Sequence, residues 1–86
     1  MWVSVYDNNK KNIMDVLIIE DKGDNRVQLH DANTDYIYKQ YKNQAEVDRV
    51  LTLFEKAIET NQHIFYMPDK LSKDEFQLYS DKMKVL

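Results

Sequence analysis

The sequence predicts a single α+β domain over residues 1–86: an antiparallel sheet of four to five short strands, packed by one amphipathic helix, with a shorter C-terminal helix. Three observations carry that expectation. The first forty residues run in short β-rich segments separated by polar turns. Residues 43–61 place apolar side chains at helical rather than strand spacing. The chain has 86 residues and is 43% hydrophobic, enough for one modest core but not for two domains.

The first strand, 1–7, sets Val3 and Val5 against Trp2, Ser4 and Tyr6 on the opposite face. Residues 8–12 are a polar turn, and 13–20 form a second strand dense in β-branched residues. Gly23, the chain's one glycine, falls in the polar stretch 21–25, where a hairpin loop calls for positive φ. Strands over 26–31 and 36–41 follow, with Val27 and Leu29 inward and a turn at 33–35. Such short connections favour antiparallel neighbours.

Asn43 is placed to cap a helix, with Glu46 three residues on. Val47, Val50, Leu51, Phe54 and Ile58 then recur at helical period, and Asn61 suits a left-handed stop. Residues 63–67 read as a short strand closed by Pro68. Ser72 with Glu75 forms a capping box for the last helix, whose apolar face is Phe76, Tyr79 and Met83.

No cysteine is present, so disulfides and thiolate metal sites are excluded. The first residues lack the basic and apolar regions of a signal peptide, and the longest apolar run is Val16 to Ile19. Cytoplasmic residence is the expectation. The whole net charge of −3 arises in residues 20–35. There Glu20, Asp21, Asp24, Asp31 and Asp35 face only Lys22 and Arg26. Turns collect aspartate for backbone reasons. Alternatively, Asp21, Asp24, Asp31 and Asp35 would steer the chain toward a basic partner.

With one glycine there is no phosphate-cradling loop, dinucleotide fingerprint or nucleophile elbow. His30 and His63 have no third ligand at zinc spacing, and residues 21–25 lack the calcium-loop pattern. Asp15 stands among apolar neighbours but is expected to face water on the open side of the sheet. These readings predict no enzyme activity, cofactor or metal.

Two binding readings remain. Strands 13–20 and 63–67 are apolar on both faces, whereas a sheet covered by one helix normally has a polar outer face. The expected partner-binding set is Trp2, Tyr6, Ile13, Leu17, Ile19, Phe65 and Met67. The C-terminal helix, a second copy in a homodimer, or a different protein could each cover it. The alternative is a single-stranded nucleic-acid face built from Tyr36, Tyr38 and Tyr41 with Lys39 and Lys42. Negative net charge disfavours the second reading, because phosphate affinity needs concentrated cations. The Asn, Asp, Lys, Ile and Tyr bias is typical of AT-rich genomes such as those of many phages and mobile elements. A small non-catalytic inhibitor or regulator of a host protein is therefore the function expected.

Overall fold

Alternation in the first forty residues becomes a sheet whose apolar side wraps onto one helix. The computed structural model describes residues 1–7, 9–33 and 36–83. The elements are β1 (Trp2–Asp7), β2 (Lys10–Gly23), β3 (Arg26–Asp31), β4 (Tyr36–Gln40), α1 (Gln44–Glu59), β5 (Ile64–Tyr66) and α2 (Lys73–Lys82). The fold is α+β as expected. The strand order is β4-β3-β2-β1-β5. The first four strands form an antiparallel meander. β5 departs from the wholly antiparallel expectation: α1 carries the chain from β4 at one margin of the sheet to the other, where β5 runs opposite to β4 and therefore parallel to its neighbour β1.

β2 is longer than expected. Lys10, Lys11 and Asn12 pair with Asp7, Tyr6 and Val5 instead of forming a wide turn. Its first half pairs with β1 and its second half with β3. Between them the register slips by one residue: Val16 faces Asp31, but Ile18 faces His30. Leu17 is the extra residue of a β-bulge, which bends the strand and reverses the alternation beyond it. At the far end of β2, Gly23, Asp24 and Asn25 all take positive φ (79°, 53° and 59°). Two consecutive left-handed residues, Asp24 and Asn25, match the twist of a two-residue hairpin loop.

The core lies between the inner sheet face and α1. Val3, Val5, Val27, Leu29 and Phe65 from the sheet meet Val47, Val50, Leu53, Phe54 and Ala57 from α1. The Phe54 and Phe65 rings pack edge to face, 5.6 Å between centroids. Asn43 caps α1 by accepting the Glu46 N–H at 2.9 Å. The buried Glu46 carboxylate does not return to the cap. It accepts the Leu71 N–H at 3.1 Å, while Arg49 donates to the Leu71 carbonyl at 3.0 Å. Leu71, fully buried, is thus held by both its backbone groups. The buried stripe of α1 runs through Leu53 and Ala57 and leaves Ile58 exposed, one position round from the expected line.

α2 begins at the predicted capping box of Ser72 and Glu75. It packs on α1, where Lys56 Nζ donates to the Ser80 carbonyl and hydroxyl at 2.8 and 2.6 Å. None of the described helices is long and apolar enough to cross a membrane.

Candidate functional site

Strand register decides which side chains share the face turned away from α1. Trp2, Ser4 and Tyr6 lie opposite Asp15, Ile13 and Lys11. Trp2 and Ser4 also lie beside Ile64 and Tyr66. Beyond the bulge the same face carries Ile18 and Glu20, then Gln28 and His30, then Tyr36 and Tyr38. Eleven large hydrophobic side chains are exposed among the described residues, and eight belong to the sheet: Trp2, Tyr6, Ile13, Leu17, Ile18, Tyr36, Tyr38 and Tyr66. α2 packs on α1 and leaves this face open. Of the three candidate covers, the C-terminal helix does not take that place among the described residues.

The face has two halves. Around β1, Trp2, Ile13 and Tyr66 ring the small Ser4, which is only 5% exposed. Around β3, Tyr36 and Tyr38 meet edge to face at 5.2 Å, and the Arg26 guanidinium sits 5.2 Å from the Tyr38 ring centre. Under them Gln28 is 5% exposed. His30 Nε2 lies 3.1 Å from Glu20 Oε1, out of line for a hydrogen bond. Where the sheet bends, Trp2 and Leu17 continue past Phe54 and Ile58 into an open cleft of about 650 Å³.

Of the expected partner-binding set, Trp2, Tyr6, Ile13 and Leu17 are exposed. Three members are corrected. Ile19 turns to the core opposite Leu29, because the bulge at Leu17 inverts the alternation and sends Ile18 outward instead. Phe65 and Met67 are buried, since Phe65 lies in register with the inward Val3. Ile64 and Tyr66 take the outer positions. The alternation of 63–67 is as read, but its inward side is the other one. A short run without a charge does not mark which side faces water.

The acidic set is dispersed. Asp21 accepts the Gly23 N–H at 2.9 Å and the Gln44 amide at 2.7 Å. Those two bonds, the backbone one foremost, hold its carboxyl below the usual aspartate value. Asp31 accepts the Asn33 N–H at 2.9 Å, so both serve turns. Asp24 is exposed at the hairpin tip, 4.0 Å from Arg26. Asp35 lies outside the described residues. Asp15 is half exposed and lies 3.1 Å from the Met1 ammonium.

The nucleic-acid set divides by strand alternation. Tyr36 and Tyr38 stand on the outer face. Lys39 and Tyr41 do not join them, because odd positions of β4 turn inward. Lys39 Nζ is held by Asp69 at 2.6 Å and the Tyr6 carbonyl at 3.1 Å. Tyr41 is buried and donates to the Pro68 carbonyl at 2.6 Å. Burial, then the charges of Asp69 and Glu46, push its hydroxyl well above the ordinary tyrosine value. Lys42 is exposed at the entrance to α1.

Among the described residues no three His, Asp or Glu side chains converge as a metal site. No family model matches the chain, and neither a curated protein nor a solved structure matches it.

Proposed function

We propose that the protein is a non-catalytic protein-interaction module that binds its partner through the sheet face turned away from α1. One observation carries this reading: among the described residues, eight of the eleven exposed large hydrophobic side chains belong to the sheet, and no described element covers that outer face. Exposed apolar patches of this kind mark interaction sites. Trp, Tyr and Arg, as in Trp2, Tyr38 and Arg26, are the side chains that dominate binding energy at such sites. The partner presents a complementary apolar surface. Steering toward basic groups at its rim falls to Asp15, Glu20 and Asp24, the acidic residues on or beside the open face.

The nucleic-acid reading loses its electrostatic support. Two tyrosines suit stacking, but Lys39 is committed to Asp69, and Arg26 is the only lysine or arginine beside them on β3 and β4. Inhibition or regulation of a host protein is the finer form of the proposal, supported by composition alone.

The test is capture from a lysate of the producing cells with tagged wild type, Ile13→Asp and Leu78→Asp. Both substituted side chains are exposed, so neither substitution opens the core. A stoichiometric protein retained by wild type and Leu78→Asp but lost by Ile13→Asp supports the reading. Equal retention by Ile13→Asp places the contact elsewhere and refutes it.

A further inference from the structure

β5 lies at the sheet margin, with β1 as its one strand neighbour among the described residues. In a parallel strand a residue's N–H and C=O point to the same side, and successive residues alternate. The Met67 N–H donates to the Ser4 carbonyl at 2.9 Å. Phe65, two residues earlier, therefore also turns its backbone groups to β1, and Ile64 and Tyr66 turn theirs to the open margin. Unpaired edge groups of this kind are a template for another strand.

A cleft of about 440 Å³ runs along that margin. Ile64, Phe65 and Tyr66 line one wall in succession, and Tyr79 and Lys82 of α2 with Met83 just beyond it form the other. Side chains alternate across a strand, so three consecutive lining residues mean that the cleft follows the strand's edge. Its walls are mostly apolar, and Lys82 is the one lysine, arginine or acidic side chain among the described lining residues. A row of outward N–H and C=O groups is matched by an extended backbone, not by a helix or a small rigid ligand. A single cation suits one carboxylate rather than a run of phosphates.

We propose that this cleft binds an extended peptide segment, which adds to β5 as a sixth strand and sets a carboxylate against Lys82. The site is separate from the outer face proposed above, apart from Tyr66, so either can fail alone.

The test is selection from a displayed library of random ten-residue peptides with free C-termini, followed by titration of the enriched synthetic peptides. Binding should protect the Ile64 and Tyr66 amides from hydrogen exchange. Ile64→Pro removes an N–H that faces the cleft rather than β1, at the first position of a strand, where proline is tolerated. It should weaken binding at least about tenfold. Lys82→Glu, on an exposed helical position, should weaken the same peptides at least about tenfold. C-terminal amidation, or Asp→Asn and Glu→Gln within the peptide, shows which carboxylate Lys82 meets. The proposal is overturned if no peptide binds below about 1 mM, if Ile64 and Tyr66 exchange unchanged in the complex, or if Ile64→Pro and Lys82→Glu bind as wild type does.

Discussion

Phe65 and Tyr66 are neighbours in sequence on opposite sides of one strand, and replacing each with alanine tests the side assignment directly. Phe65 is 2% exposed and packs edge to face on Phe54; Tyr66 is 62% exposed. A buried phenylalanine withdraws about 150–200 Å² of apolar surface. At about 25 cal/mol per Å² its loss removes about 4 kcal/mol, within the range of about 3–5 kcal/mol for such truncations. A domain of 86 residues has a total stability of about 4–13 kcal/mol, so Phe65→Ala removes between about a third and all of it. Tyr66→Ala should cost less than about 1 kcal/mol. Urea unfolding followed by far-ultraviolet circular dichroism measures both, and thermal melting should separate them by more than about 12 °C. A loss below about 1 kcal/mol for Phe65→Ala, or equal losses for the pair, would refute the assignment of Phe65 to the core.

Two further outcomes follow from the same packing. Tyr41→Phe removes the buried hydrogen bond to Pro68 and should cost about 1–2 kcal/mol in urea unfolding. The Tyr41 hydroxyl is raised from its ordinary value of 10.0, so above that pH the folded state keeps a proton that the unfolded state has lost. Stability therefore falls as pH rises past about 10, and the Tyr41→Phe variant should lack that part of the fall; parallel curves for the two proteins contradict it. Deleting Leu17 removes the extra residue of the bulge while Val16 stays opposite Asp31 and Ile18 opposite His30. That deletion should keep the melting temperature within about 8 °C, whereas deleting Ile19 carries Glu20 to the core side opposite Leu29 and should unfold the chain. The reverse order of tolerance would show that the bulge lies elsewhere.

Much of the fold was legible because local chemistry and tertiary packing agree. Asn43 and Ser72 cap the helices they were expected to cap, and Val3, Val5, Val27 and Leu29 point inward as alternation requires. The errors share a cause in long-range pairing. A bulge has no sequence signature in a run of Val, Leu and Ile, so the exchange of Ile18 for Ile19 was invisible before the register with β3 was known. The parallel placement of β5 depends on where α1 returns the chain, and that placement alone sets Phe65 beside Val3. Tyr41 and Lys39 looked like a stacking strip because spacing in sequence ignores which side of β4 each residue takes. Their partners, Pro68 and Asp69, lie 27 and 30 residues away. The apolar character of the outer face was legible from the excess of apolar residues on both sides of two strands, but not whether α2 covers it. That α2 leaves it open follows from its packing on α1, which includes the Lys56–Ser80 bonds, and no periodicity encodes that contact.

The central claim is that the sheet face turned away from α1 is the contact surface. Carbene footprinting of the captured complex, compared with the free protein, tests it most directly. The account predicts protection at Trp2, Ile13, Tyr38 and Tyr66, with Ile58 and Leu78 on the helices labelled as before. Protection confined to Ile58 and Leu78, with Trp2 and Ile13 still fully labelled, would contradict it.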